Sequence, residues 1–213
     1  GTLYNATLTF PPDGGAPALR RKLMPTYTER LIWGRGDGST LGAVQTPWGA
    51  LGGLICWEHW MPLARAAMHA RGEAVHVAQW PQVKPLNLLC SRHYAFEGQC
   101  FVLATGTALR KGEMLEGFDS LGANAPLARE LLDAVPGGDG DWVLRGGSAV
   151  IAPNADCLAG PLEPGAHRPP GNLAFKFCRP GCHRVNQRVV SILFLRQHDC
   201  CSRAASFRPS RVS

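Results

Sequence analysis

The chain of 213 residues contains no apolar run approaching the roughly 18–20 residues that cross a bilayer, so no membrane partner is expected. Its start shows no basic region, apolar stretch and small-residue cleavage site in succession, so no secretory leader is read there. It also opens without Met, like the middle of a longer protein. Cys56, Cys90, Cys100 and Cys157 show neither a disulfide framework nor a paired metal knuckle, which suits a reducing cytoplasm. Gly34 to Gly38 is glycine-rich but lacks the Lys-Ser/Thr of a phosphate loop, and reads as a mobile turn. Acidic residues are nearly missing from one region. Residues 165–213 hold only Asp199 against 9 Lys/Arg, whereas residues 1–164 hold 15 Asp/Glu against 13 Lys/Arg. The net charge of +6 therefore belongs to the tail.

What is present describes a globular chain. Hydrophobic residues make up 45% and charged residues 18%, and the length supports one α/β domain with a real core. Ala50 to Ile55 is small and apolar, as a buried strand is. From Met61 to about Gly72 the spacing is helical, with Leu63, Ala66, Ala67 and Ala70 on one face. Cys56 sits at the join. A strand-to-helix turn lifts one side chain out of a sheet, glycines before it allow close packing, and a helix N-terminus favours a negative sulfur. That suits a nucleophile. A buried, inert core cysteine is the alternative on spacing alone.

Lys22 lies in Arg20-Arg21-Lys22-Leu23-Met24-Pro25-Thr26. An ammonium held in a dry pocket stabilises negative charge that develops on an attacked nitrile or amide, and it favours a nearby thiolate. A solvated basic cluster is the plainer alternative. Glu29 would pair with Lys22 and keep it charged. Otherwise it makes a weak surface pair with Arg30.

Two stretches resemble the nitrilase branch of the carbon–nitrogen hydrolase superfamily. One is Gly52-Gly53-Leu54-Ile55-Cys56-Trp57-Glu58-His59-Trp60-Met61-Pro62-Leu63-Ala64-Arg65. The other is Lys22 with its flanks, followed by Glu29-Arg30 and Trp33-Gly34-Arg35-Gly36-Asp37-Gly38. The resemblance implies an α/β fold, the four-layer αββα sandwich, incomplete in this chain. It implies Cys56 as nucleophile, Lys22 as its catalytic lysine and Glu29 as the auxiliary glutamate. Trp57, Glu58 and His59 become candidate substrate-binding residues, and Trp57 and His59 favour the nitrilase branch over amidases. The implied reaction is hydrolysis of a small-molecule nitrile to the acid and ammonia, with no metal or organic cofactor and with homo-oligomers as the family's habit. The family's general-base glutamate lies ahead of its lysine, and neither Glu29 nor Glu58 fills that place. The chain is therefore expected to be slow or inactive alone, with apolar sheet faces left uncovered.

The remaining chain reads as an α/β layered fold. Residues 1–10 and Leu19 to Leu23 read as a hairpin around Pro11 to Gly15, and Val44–Thr46 with Ala50–Ile55 as another. Ala74 to Trp80, Leu86 to Gln99 and Cys100 to Thr105 alternate strand, helix and strand. Trp80 and Thr105, at strand ends, are candidate substrate-wall residues, with core packing as the alternative. His93 and Glu97 read as a structural pair rather than half a metal site. Residues 110–142 read as a loop region around one helix, Ala125 to Ala134, and Arg145 to Asn154 as a strand and turn.

Family resemblance covers residues 1–164 and stops there. Cys178, Cys182 and His183 lack mates at a regular zinc spacing in His198, Cys200 and Cys201. The four tail phenylalanines form no stacking pattern, which makes nucleic acid an unlikely partner. The change of composition fits an out-of-frame ending best. Two other functions stay open: an amide or carbamoyl hydrolase of the same superfamily, and a non-catalytic, basic-tailed binding protein.

Overall fold

The computed structural model describes residues 1–11, 14–122 and 124–164. Expectations for residues 165–213, including Cys178, Cys182, His183 and Asp199, lie outside the described residues, as do Pro12 and Asp13 of the first turn.

Strands β1 (Ala6–Thr9) and β2 (Ala18–Arg21) pair antiparallel as a separate two-stranded sheet. A 3-10 turn follows at Tyr27–Leu31. Strands β3 (Val44–Thr46) and β4 (Gly49–Ile55) form the second hairpin, and β4 runs into a 3-10 turn, Cys56–Trp60. Then come α1 (Pro62–His69), β5 (Glu73–Trp80), α2 (Pro85–Gly98) and β6 (Phe101–Gly106). A further antiparallel pair, β7 (Ala108–Arg110) with β8 (Trp142–Arg145), frames α3 (Lys111–Ser120) and α4 (Pro126–Asp133). Strands β9 (Ala149–Ile151) and β10 (Cys157–Ala159) close the described part.

The central sheet has six strands in the order β10-β9-β6-β5-β4-β3. Its middle three, β4, β5 and β6, are parallel, as two β-α-β crossovers require. Register sorts the side chains by face. Leu54 lies opposite Ala78, Ala78 opposite Ala104, and Ala104 opposite Ala149. This row joins Met68 of α1 and Cys90, Tyr94 and Ala95 of α2 in one buried cluster. The alternate residues Leu51, Val75, Val77 and Leu103 point to the other face and are only half-buried. That uncovered apolar face is what an incomplete sandwich leaves.

Two readings change. Helix α1 buries Ala64 and Met68, while Leu63 is 86% exposed. Leu63 and Met68, five residues apart, stand roughly 140° apart round the helix and cannot share its buried face; Met68 takes the core position and Leu63 the solvent side. Residues 110–142 hold two helices and a strand pair rather than loops around one helix. A lysine ties them together: Lys111 Nζ donates to the carbonyls of Asp133, at the end of α4, and of Val135 and Gly137 beyond it, at 2.8, 2.7 and 3.1 Å. Hydrophobic periodicity does not register such a tether.

Leu54 is fully buried at the centre of the cluster. Leu54→Ala is expected to lower unfolding free energy by about 3 kcal/mol, read from urea titration, because the rigid sheet cannot collapse into the cavity.

Candidate active site

The site is assembled where β2 ends and β4 turns. In β2 and just past it the side chains alternate. Arg20 and Lys22 are buried and Arg21 lies between them, half-buried, over the Tyr4 ring at 4.4 Å. Lys22 is held from all sides. Its N–H donates to Asn5 O at 2.8 Å, and its carbonyl accepts from Gly36 N–H at 2.8 Å. Only glycine fits at 36, since a Cβ would stand 2.8 Å from that carbonyl oxygen. The Gly34–Gly38 segment thus clamps the lysine backbone, and is not a free turn over the site.

The Lys22 ammonium donates to Thr26 Oγ1 at 3.1 Å and Glu29 Oε2 at 2.5 Å. The same carboxylate oxygen accepts the Thr26 N–H at 2.6 Å. Partial burial pulls the Glu29 carboxyl upward, but the Lys22 ammonium and Thr26 N–H outweigh it and hold the group below the usual carboxylate range. Glu29 is therefore the anionic partner of a buried cation.

Cys56 is the first residue of its turn, half-buried, with φ at +54°. Non-glycine residues seldom take that conformation, and strain of this kind at a strand end marks a side chain held up out of the sheet. Burial pushes the Cys56 thiol above its ordinary value; the Lys22 charge and the Trp57 N–H oppose this without reversing it. The expected thiolate preference of a helix start does not prevail at this short turn. At neutral pH the resting Cys56 sulfur is a thiol, and nucleophilic attack by it would require a base. The carboxylates whose charge acts on it among the described residues are Glu29 and Glu58. Each is already paired with a cation.

Glu58 holds the two halves of the site together. Its Oε1 accepts from Arg20 Nη1 at 3.0 Å and from Leu23 N–H at 2.7 Å. Its Oε2 accepts from Arg20 Nη2 and, at 2.6 Å, from Ile55 N–H. One buried carboxylate thus links the residue after Lys22 to the residue before Cys56.

The expected substrate-binding residues part company here. Trp57 is 58% exposed beside Cys56, its ring tilted against Trp60 at 6.4 Å. Glu58, His59 and Trp80 are turned inward, buried and engaged with protein partners. Glu58 is spent on Arg20 and two backbone amides. His59 contacts His76 and the Cys56 carbonyl. Trp80 stacks on His59 and donates Nε1–H to Ser91 Oγ at 3.1 Å. Thr105 is half-buried and donates to Ala78 O at 3.3 Å. Sequence reasoning missed Arg20 as a site residue, although the period-2 alternation with Lys22 carries that signal. It also missed Glu73, His76 and Tyr94, which only strand pairing brings near Cys56. His93 meets Glu97 at 4.0 Å, and Glu97 chiefly serves Arg65 and His69.

No group of three or more His, Cys, Asp or Glu among the described residues is placed to hold a metal ion, and no described helix is long and apolar enough to cross a membrane. A strained elbow that carries Cys56, a buried lysine and its glutamate partner now stand together. The profile of the carbon–nitrogen hydrolase family matches residues 1–165. The chain belongs to the carbon–nitrogen hydrolase family. Within it, the similarity is to nitrilases: 43% identity over 161 residues to an aliphatic nitrilase of Sinorhizobium fredii strain HH103, covering 76% of this chain and 48% of that relative. A bifunctional nitrilase/nitrile hydratase of Lupinus angustifolius is 38% identical, over 75% of this chain and 43% of its own length. The chain spans about half the length of the relatives it matches. The fold is similar to that of Saccharomyces cerevisiae Nit3, a member of branch 10 of the nitrilase superfamily, with a TM-score of 0.54 at 18% identity, covering 77% of this chain and 51% of that one.

Glu58→Gln leaves the Arg20 guanidinium buried against a neutral amide. It is expected to cost about 3–5 kcal/mol of stability by urea titration. The rate of Cys56 alkylation by iodoacetamide, followed against pH, is expected to have its midpoint above the free-thiol value of about 8.5. Lys22→Met is expected to move it higher still, since the ammonium is the leading influence holding the thiol down. A midpoint below that of a free thiol would show that burial does not govern this sulfur.

Proposed function

We propose that the chain carries the nucleophilic half of a nitrilase site, acting on a small organic nitrile. The observation that carries this reading is the joint placement of Cys56, in a positive-φ elbow, and Lys22, fully buried and anchored by Glu29, across the shared Glu58 carboxylate. The Cys56 sulfur attacks the nitrile carbon and a proton reaches the nitrogen, giving a thioimidate. Lys22 stabilises the negative charge that builds on nitrogen. One water adds, ammonia leaves, and the thioester acyl-enzyme remains. A second water releases the carboxylate and restores the thiol. Glu29 keeps Lys22 charged and fixed. Trp57, exposed next to the sulfur, offers an apolar wall for the substrate.

The thiol proton needs an acceptor. Glu29 and Glu58 are both committed to cations, and the family's base glutamate, which lies ahead of the lysine, is not among the described residues. General-base assistance is worth about 10²–10⁴-fold, so attack by this chain alone is slow while the nucleophile stays in place. The names of the relatives, nitrilase and bifunctional nitrilase/nitrile hydratase, support nitriles over amides as substrates. Homo-oligomer formation, the habit the family resemblance implies, is part of the same proposal.

Mass spectrometry of the full chain after incubation with a reactive aromatic nitrile is expected to show an adduct on Cys56, absent in Cys56→Ala and reduced at least about tenfold in Lys22→Met. Ammonia release from nitriles but not from the matching amides would place the chain with nitrilases. Release from amides alone would select an amide hydrolase, and no adduct from a folded chain would defeat the assignment.

A further inference from the structure

A chain of buried polar side chains runs from the back of the elbow into the core and is not used in the mechanism above. His59 Nδ1 lies 2.7 Å from Cys56 O, and His59 Nε2 lies 3.1 Å from His76 Nε2. His76 Nδ1 lies 2.9 Å from Glu73 Oε1, and Tyr94 donates its hydroxyl to Glu73 Oε2 at 2.5 Å. All four side chains are buried, His59, His76 and Tyr94 completely. The rings are wedged in place: His76 stacks on Tyr94 with centroids 3.8 Å apart, and His59 on Trp80 at 4.7 Å. Room for the carboxylate comes from Gly52, where a Cβ would stand 1.6 Å from Glu73 Oε1. The glycine of the elbow motif is thus a vacancy that Glu73 fills.

Counting protons along this chain fixes its state. A carbonyl only accepts, so His59 Nδ1 carries a hydrogen. The His59–His76 contact needs one hydrogen, and the His76–Glu73 contact needs another. Two neutral imidazoles supply two of these three hydrogens. The third makes the trio of His59, His76 and Glu73 neutral overall, which is the condition that burial also favours. Burial holds His59 well below its ordinary value, with His76 adding to the effect, and burial lowers His76 as well. The charges facing them, Arg20 and Arg65 at His59 and Arg20 and His69 at His76, push the same way; the Glu73 carboxylate at His76 opposes them. His59 is therefore neutral and accepts from His76 Nε2–H, and the remaining hydrogen lies in the His76–Glu73 contact.

We propose that His59 is a positioning residue for the nucleophile, held in its Nδ1–H tautomer by a relay that ends at Glu73 and Tyr94. The imidazole pins the Cys56 carbonyl and so holds the strained positive φ that raises the sulfur toward Lys22. This rests on Cys56 as the nucleophile, but its test does not require nitrile turnover.

The full chain labelled with 15N-histidine is expected to show His59 as a neutral Nδ1–H ring that does not titrate between about pH 5 and pH 9. An Nε2–H ring, or titration near the ordinary histidine value, overturns the proposal without any variant. Glu73→Gln preserves every contact, since its amide N–H donates to His76 Nδ1 and its oxygen accepts from Tyr94. Cys56 alkylation by iodoacetamide, followed by peptide mass spectrometry, is expected to stay within about twofold of wild type in Glu73→Gln. In Glu73→Leu and His59→Phe it is expected to slow about tenfold, the equivalent of one lost hydrogen bond. Glu73→Gln as slow as Glu73→Leu, or all variants equal to wild type, would sink the relay. Retained nitrogen spectra and alkylation pattern with no nitrile adduct would instead defeat the nitrilase reading and leave the positioning role standing.

Discussion

The arrangement depends on one carboxylate. The β1–β2 hairpin that carries Lys22 is a sheet of its own and shares no strand pairing with the sheet that carries Cys56. Two pieces of backbone that are not paired have no fixed distance unless something spans them. Glu58 spans them, accepting from Arg20 and the Leu23 amide on one side and the Ile55 amide on the other. A second, lighter link joins Thr7 Oγ1 to Gln79 Oε1 at 2.7 Å. A buried ion pair is costly to desolvate, and its merit lies in directing geometry more than in net stability. Here the geometry directed is the approach of an ammonium to a sulfur.

The two charged pairs at the site do different things. Arg20 with Glu58 is enclosed and remote from solvent. Lys22 with Glu29 is asymmetric, the lysine buried and the glutamate partly open. An ammonium that keeps its charge while buried can stabilise an anion that appears beside it, because the dipoles are already oriented and water is excluded. The same burial disfavours the thiolate. The site thus holds a cation beside a sulfur that rests as a thiol.

Behind the elbow, the His59–His76–Glu73–Tyr94 chain fills what would otherwise be an apolar layer between β4, β5 and α2. A buried polar chain is tolerated only when every member is satisfied. The flat faces of the two imidazoles pack like hydrophobic rings while their nitrogens carry the hydrogen bonds. Core packing and polar satisfaction are met by the same side chains, so the nucleophile's carbonyl is coupled to the centre of the domain.

Much of this protein is written locally in its sequence. The short apolar runs of β4, β5 and β6, the helix of α2 and the hairpins were legible because alternation and turn residues act over a few positions. Cys56, Lys22 and Glu29 were legible through motifs whose spacing is local as well. The rotation of α1 was not, since Leu63 and Met68 lie on different sides of the helix and only packing against the sheet decides which is buried. Nor was α3, stabilised by a lysine reaching past the end of α4. Glu58 and His59 follow Cys56 directly in the motif and Trp80 ends a strand, and those positions suggested substrate contact. Whether a side chain at such a position faces a ligand or the core depends on what the neighbouring strands place against it. Parallel pairing sets Gly52 opposite His76 and brings Glu73 into the space a side chain would occupy. The sequence by itself determined which groups are available for chemistry; the tertiary structure decided which of them are free, because burial and partner geometry arise only when distant strands come together.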